Sequence, residues 1–166
     1  MAAKSTTASK PKSFWLVKTE PSAYSLDDWE KEKDKTTYWD GVRNYQARNT
    51  LRDSMKLGDE VLIYYSNAEP AEIVGIAKVV REGYPDFTAL DPQHPHYDPD
   101  SKPDNPRWMM VDLKLIKRFK KTLPLSTAKE LEALKGMELL RKGSRLSVQP
   151  VRPSEFEFIV NYCSKS

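Results

Sequence analysis

The stretch Thr37-Tyr38-Trp39-Asp40-Gly41-Val42-Arg43-Asn44-Tyr45-Gln46-Ala47-Arg48-Asn49 carries the strongest structural signals in the chain. Asp40-Gly41 predicts a turn, because glycine tolerates a positive φ and aspartate can bond its own backbone. Trp39 is therefore expected to end a short strand. Asn44 is a favourable N-cap for the helix that follows. That helix would run to about Ser54 and bury Ala47, Leu51 and Met55 on one side.

This arrangement brings a flat aromatic ring close to a helix N-terminus. Free backbone N–H groups there, with Arg43 and Arg48 beside them, suit an anionic oxygen such as a phosphate. Trp39 could stack on a nucleobase, a contact worth roughly 1–3 kcal/mol per base. The alternative is that Trp39 belongs to the core and the arginines form a solvated helix face.

Length and composition limit the class of protein. A chain of 166 residues with 39% hydrophobic content is typical of one domain with a substantial core. No apolar run approaches the roughly 18 residues of a membrane span, and no signal peptide is visible, so we expect a soluble, intracellular monomer with no membrane partner. The single cysteine, Cys163, excludes an internal disulfide.

The net charge of +3 comes from the first thirteen residues, which hold Lys4, Lys10 and Lys12 and no acid. Subtracting these three charges from the total of +3 leaves residues 14–166 with a net charge of zero. We expect residues 1–13 to be a disordered basic tail and residues 14–166 to form a single domain. One local cluster is basic and could contact a polyanion. Its members are Lys114, Lys117, Arg118, Lys120 and Lys121.

Hydrophobic patterns predict about five strands and several short helices. The strands are 14–19, 60–66, 73–81, 108–119 and 145–151, with a bulge or close backbone approach at Gly75. The helices are 26–31, capped by Ser25, one running from Ser126 or Thr127 to Gly136, one at 137–141, and one opened by Pro153. Residues 83–107 are rich in proline and are expected to form an ordered loop over one end of the fold. Strands without regular long helices between them favour a mixed, barrel-like α+β domain.

Motifs for nucleotide-dependent chemistry are absent from the sequence. It contains no Gly-x-Gly-x-x-Gly, Walker loop or Cys-x-x-Cys, so we expect no cofactor. His94 and His96 with Asp91, Asp98 and Asp100 could be considered for a metal site. The intervening prolines do not favour convergence, and we expect no metal. Glu20 could act as a general base, but no partner acid or nucleophile is identifiable.

Residues suited to a pocket for a planar ligand are more evident. Six aromatic residues could form its walls: Trp15, Trp39, Tyr64, Tyr65, Tyr97 and Trp108. Polar residues at predicted strand ends or turns could bind the ligand's edge: Thr19, Glu20, Asn44, Ser66 and Asn67. Some of these aromatic residues must instead belong to the core.

Long motifs in this chain resemble the EVE domain family. They are Phe-Trp-Leu-Val-Lys-Thr-Glu-Pro (14–21), Trp-Asp-Gly-Val-Arg-Asn-Tyr-Gln-Ala-Arg-Asn (39–49), Tyr-Tyr-Ser-Asn (64–67), Gly-Ile-Ala-Lys-Val-Val-Arg-Glu-Gly-Tyr-Pro-Asp (75–86), His-Tyr-Asp-Pro (96–99), Asn-Pro-Arg-Trp (105–108) and Arg-Leu-Ser-Val-Gln-Pro-Val (145–151). The resemblance implies a PUA-like mixed β pseudo-barrel of about five to six strands with short flanking helices, and kinship with YTH domains.

The resemblance also implies a non-catalytic module that binds DNA or RNA carrying a modified base, such as a modified cytosine flipped into an aromatic pocket. The pocket tryptophan of YTH domains corresponds to Trp39, and Tyr97 is the candidate for a second wall. The expected pocket residues are Lys18, Thr19, Glu20, Trp39, Asp40, Asn44, Ser66 and Tyr97. The expected backbone-binding residues are Arg43, Arg48, Lys114, Lys117, Arg118, Lys120 and Arg145. The alternatives are an RNA-binding PUA-type module without modification preference and an enzyme acting on a modified base or nucleotide.

Overall fold

The computed structural model describes residues 12–165. Its strands are β1 (Phe14–Thr19), β2 (Thr36–Tyr38), β3 (Glu60–Tyr65), β4 (Glu72–Pro85), β5 (Met109–Pro124) and β6 (Val148–Val151). Its α-helices are α1 (Leu26–Glu30), α2 (Tyr45–Asn49), α3 (Leu125–Ala128) and α4 (Pro153–Ser164). Helix α2 continues as a π-helical turn, Thr50–Ser54, and short 3₁₀ turns cover Lys33–Lys35, Phe87–Leu90, Glu132–Leu134 and Glu138–Leu140.

All six strands lie in one mixed sheet with the order β2-β5-β4-β3-β1-β6. Strands β1 and β3 are parallel, with Trp15 opposite Val61, and the other pairs are antiparallel. The long β4–β5 pair shifts register several times, which bends and twists the sheet. The predicted α+β class with a mixed sheet of about six strands is confirmed.

Side chains alternate between the two faces of the sheet, and each face has its own core. On one face, Val17, Ile63 and Leu113 pack with Trp29 and Trp39. On the other face, Leu16 and Leu62 pack against Phe156 and Ile159 of α4. The C-terminal ends of β1 and β2 lie beside the first core, and both contribute residues to the candidate site.

Most of the predicted elements are confirmed, with three differences. Strand β6 begins at Val148 and is shorter than the predicted strand at 145–151. Strands β4 and β5 extend to Pro85 and Pro124, because they pair with each other through segments whose sequences are typical of loops. The predicted helix to Gly136 was wrong. Helix α3 begins at Leu125 and ends after four residues, and Leu131 has an extended backbone, with φ −93° and ψ 116°.

Gly75 makes the close backbone approach that its position in a strand predicts. A Cβ added there would lie 2.5 Å from the carbonyl oxygen of Lys117, so a larger residue would separate β4 from β5. The predicted tail, 1–13, falls almost entirely outside the described residues. Lys12 does form an ion pair with Glu60, and the Ser13 N–H donates to Asp59. The boundary at residue 14 stays a prediction.

Candidate functional site

A pocket of about 630 Å³ opens where the C-terminal end of β1, the β2–α2 turn and the proline-rich loop meet. Strand β1 supplies Lys18 and Thr19, followed by Glu20, and the turn supplies Trp39 and Asp40. Further lining comes from Tyr24, Glu32, Thr37, Tyr38, Gly41, Ser66, His94, His96 and Ser147. Six of the eight predicted pocket residues line this cavity: Lys18, Thr19, Glu20, Trp39, Asp40 and Ser66.

Trp39 forms the inner wall of the pocket. Its side chain is only 7% exposed and packs against Trp29, with ring centroids 5.3 Å apart and the planes inclined at 37°. Tyr24 meets it edge-on at 6.5 Å. This cluster fixes the indole, because aromatic pairs at such distances favour tilted and edge-to-face geometry.

The indole N–H of Trp39 differs from those of the other three tryptophans. Trp15, Trp29 and Trp108 donate to Asp59, to the Lys35 carbonyl and to Asp98 respectively. No acceptor for the Trp39 N–H is found among residues 12–165, yet this atom is not one of the two fully enclosed polar atoms without a partner. The Trp39 N–H therefore keeps some solvent access, and a ligand in the pocket that Trp39 lines could accept a hydrogen bond from it.

Polar groups at the strand ends surround the mouth. The Thr19 hydroxyl donates to the Tyr24 carbonyl at 2.8 Å, and the Ser66 N–H donates to the Thr19 carbonyl at 3.0 Å. Glu20 is exposed, and among residues 12–165 the only partner of its carboxylate is the Asn67 amide at a long 3.4 Å. The Glu20 carboxylate is thus available to accept a hydrogen bond.

Lys18 lines the pocket, and its amine lies over the ring of Tyr64, 6.0 Å from the centroid. Burial lowers the pKa of Lys18 below its usual value, and the negative charge of Glu138 partly opposes that effect. A nearby anion stabilises the charged form of a lysine whose burial disfavours that form. An anion bound close to this amine would therefore raise its pKa towards the usual value.

The proline-rich loop contributes two histidines that the sequence did not assign to the pocket. His96 Nδ1 lies 3.0 Å from Asp40 Oδ2, and His94 Nε2 lies 3.8 Å from the same oxygen. The His96 ring rests on Gly41, where an added Cβ would approach to 2.5 Å of Cε1. Glycine at position 41 therefore has two roles: it accepts a φ of 79° and it makes room for His96.

Asp40, His94 and His96 offer ligand atoms within 4.8 Å of one another, the spacing of a metal site. The hydrogen bonds do not favour such a site. His94 Nδ1 accepts the backbone N–H of His96 at 3.0 Å, which places the proton of neutral His94 on Nε2, the atom that faces Asp40. A metal at Nε2 would need that proton on Nδ1, where it would oppose the His96 N–H. The absence of a metal stays a prediction.

Asp86 connects the proline-rich loop to the β2–α2 turn. Its carboxylate is 2% exposed and accepts the Gly41 N–H at 2.9 Å, Arg43 Nη1 at 3.0 Å and the Thr88 N–H at 2.9 Å. Burial raises the pKa of Asp86, but hydrogen bonds from Thr88, Gly41 and Arg43 outweigh that effect and hold it below its usual value. Arg43 also donates to the His96 carbonyl, so it fixes the loop instead of facing solvent.

Two predicted pocket residues lie elsewhere. Asn44 caps α2, as expected, by accepting the Ala47 N–H at 2.9 Å, and Tyr97 is 41% exposed but does not line the cavity. Of the six aromatic residues considered for its walls, only Trp39 lines it. Tyr24 and Tyr38 supply the other aromatic surfaces. The sequence around Tyr24 and Tyr38 did not predict that they line the pocket, because their position beside it depends on how α1 and β2 fold around Trp39.

The predicted backbone-binding cations fall into two groups. Four are engaged within the protein: Arg43 as above, Arg48 with the Arg107 carbonyl, Lys114 with Asp34, and Arg118 with Asp27 and Glu30. Three are exposed and have no ion pair or side-chain hydrogen bond within residues 12–165: Lys117, Lys120 and Arg145. The second group is better suited to bind phosphate without losing an internal contact.

Residues 13–162 match the family model described as the EVE domain. The chain belongs to the EVE domain family. Human thymocyte nuclear protein 1 is 42% identical over 166 residues, which span 90% of this chain and 73% of the human protein. The crystal structure of human THYN1 protein in complex with DNA containing 5-methylcytosine superimposes with a TM-score of 0.87 at 41% identity, covering 93% of this chain and 99% of that one.

The EVE domain also shares its fold with a YTH domain. The YTH domain of Zygosaccharomyces rouxii MRB1 protein, solved in complex with N6-methyladenosine RNA, superimposes with a TM-score of 0.53 at 14% identity, covering 93% of this chain and 88% of that one. This likeness confirms the expected kinship of fold. Within the described part of the chain, no helix is both long and apolar enough to cross a membrane.

Proposed function

We propose that this EVE domain is a non-catalytic module that binds nucleic acid and recognises a modified cytosine of the 5-methylcytosine type. The modified base leaves the stack and lies against Trp39. The observation that carries the proposal is the accessible pocket beside Trp39, whose indole N–H has no described partner. The THYN1 protein solved with 5-methylcytosine DNA supports it, since 41% identity spans nearly the whole of both chains.

The size and polarity of the pocket suit a base. Its volume of about 630 Å³ lies within the usual range of about 300–1,000 Å³ for small-molecule sites. Glu20 and Asp40 can accept the exocyclic amine of cytosine, and Trp39 Nε1 can donate to its carbonyl oxygen or ring nitrogen. Thymine carries the same C5 methyl group but has a carbonyl oxygen where cytosine has its amine. The carboxylates should therefore reject thymine.

The expected selectivity can be estimated from these contacts. Burying one methyl group contributes about 0.8 kcal/mol, which corresponds to a roughly fourfold preference for 5-methylcytosine over cytosine. An unmatched buried polar group costs about 1–3 kcal/mol, so thymine should bind roughly 5- to 150-fold more weakly than 5-methylcytosine. The two ratios report the methyl contact and the amine contact separately.

The test measures dissociation constants by fluorescence anisotropy for single-stranded oligonucleotides that differ at one position: 5-methylcytosine, cytosine or thymine. Because Trp39 is part of the core, Trp39→Ala threatens the fold, and Trp39→Phe is the better variant. We expect Trp39→Phe to remain folded and to lose affinity for the modified oligonucleotide. Trp29→Phe, which removes an internal indole N–H, is the matched control and should keep the wild-type affinity. Wild-type affinity for the modified oligonucleotide in Trp39→Phe would refute the pocket assignment.

The competing functions have separate readouts. A non-catalytic module returns its ligand unchanged, so prolonged incubation with the modified oligonucleotide should leave its mass unaltered; a mass change would establish an enzyme. A PUA-type module without modification preference would bind structured RNA at least as tightly as modified DNA in competition. With residues 14–166 near neutral charge, we expect modest affinity with a shallow dependence on salt.

A further inference from the structure

Two exposed aromatic side chains stand in contact beside the mouth of the pocket. Tyr38 is 44% exposed and Phe87 is 50% exposed. Their ring centroids are 4.9 Å apart with the planes at 62°. Single exposed aromatic residues are common on protein surfaces, but two in mutual contact at a ligand pocket form a continuous apolar surface with a defined shape.

The fold holds both rings firmly. Tyr38 lies between buried Thr37 and Trp39, so strand alternation turns its side chain outward as Trp39 turns inward. Phe87 lies between Asp86 and Thr88, which are 2% and 1% exposed. Hydrogen bonds from Thr88 and Gly41 to Asp86 anchor this segment. The rings are thus presented by a rigid frame, which lowers the entropy lost when a ligand binds.

We propose that Tyr38 and Phe87 form a stacking platform for the nucleobase next to the one held in the pocket. This inference rests on the proposed function. When a base flips out, its neighbour loses a stacking partner and exposes a flat apolar face. Aromatic side chains can replace that partner for any base, since every base has a π-face. The platform would therefore strengthen binding without reading sequence.

Position and chemistry both favour a neighbouring nucleobase as the occupant. Tyr38 lines the pocket and directly precedes Trp39, so a nucleotide entering the pocket places its neighbour close to the platform. The exposed ring of Tyr45 does not have this relation. It stacks on Trp108 at 5.0 Å and has the Arg48 guanidinium 4.9 Å from its centroid, so its faces are largely used within the protein. Tyr45 is therefore a matched control.

The test uses wild type, Phe87→Ala, Phe87→Trp and Tyr45→Ala. Each protein binds a single-stranded oligonucleotide with one 5-methylcytosine flanked either by adenines or by abasic sites. We expect wild type to bind the adenine-flanked ligand about 5- to 150-fold more tightly. The ratio should fall towards one in Phe87→Ala and persist in Phe87→Trp and Tyr45→Ala. A wild-type ratio in Phe87→Ala would overturn the platform, as would equal binding of the two ligands by wild type.

The same titrations separate failure of the platform from failure of the pocket. The preference for 5-methylcytosine over cytosine reports the pocket, and the preference for adenine flanks over abasic flanks reports the platform. We expect Phe87→Ala to change only the second, because Phe87 does not line the pocket. Loss of the 5-methylcytosine preference in Phe87→Ala would contradict the division of roles. No preference for 5-methylcytosine in wild type would refute the proposed function, and with it a platform that serves a flipped modified base.

Discussion

Removing the Asp86 carboxylate should destabilise the protein and release the proline-rich loop from the pocket. Asp86→Ala leaves the Gly41 and Thr88 N–H groups and the Arg43 guanidinium without their acceptor. Removing one partner of a buried, hydrogen-bonded ion pair costs about 3–5 kcal/mol. The Arg43 side chain keeps 26% of its exposure and can be partly solvated, so we expect a loss near 3 kcal/mol. For a domain of this size that corresponds to a decrease in Tm of roughly 6–12 °C.

Urea denaturation followed by circular dichroism measures this loss directly. Asp27→Ala is the control, because Asp27 also pairs with an arginine, Arg118, but its side chain is 70% exposed, and surface pairs contribute little. The pKa of Asp86 is depressed in the folded state, so its contribution to stability is present above the unfolded-state pKa of about 3.8 and is lost as pH falls below it. The free energy of unfolding of Asp86→Ala should therefore decrease less steeply than that of wild type as the pH falls below about 3.8. Equal losses in Asp86→Ala and Asp27→Ala would refute this role.

Two further predictions concern the turn and the cationic surface. Gly41→Ala should lower the Tm more than Gly58→Ala: both positions have positive φ, 79° and 88°, but only at Gly41 would the new Cβ collide with His96. Equal decreases in Tm for the two variants would contradict the close packing of His96 on Gly41. Lys117→Ala should reduce the slope of log K against log salt by about 1, whereas Arg118→Ala should change it less because Arg118 already pairs with two carboxylates; identical slopes in the two variants would contradict this difference.

The local features of the site could be predicted because they depend on neighbouring residues. Asn44 caps α2 and Asp28 completes the capping box of Ser25, and both patterns lie within four consecutive residues. The β1 pattern at 14–19 likewise matches its observed bounds. The Asp40-Gly41 turn signal, together with the Asn44 cap, was sufficient to place Trp39 at the end of a strand and at the start of a polar turn.

The remaining walls could not be predicted because they depend on contacts between distant parts of the chain. Gly41 and Asp86 are 45 residues apart, and Arg43 and His96 are 53 apart. Arg43 looked available for phosphate because the acid with which it pairs, Asp86, lies 43 residues away in sequence. Tyr97 was the expected second wall, yet the fold turns His96 to the pocket instead. Sequence reasoning found the segment that covers the site and not the side chains that it presents.

The proposed function depends on one feature of the pocket, the Trp39 indole that lines it among polar acceptors. A crystal structure of this EVE domain with a single-stranded oligonucleotide carrying one 5-methylcytosine tests that feature most directly. We expect the modified base to lie inside the cavity, with its carbonyl oxygen or ring nitrogen accepting the Trp39 indole N–H and its amine facing Glu20 or Asp40. A structure in which the nucleic acid binds elsewhere, with the cavity beside Trp39 empty, would contradict the proposed function.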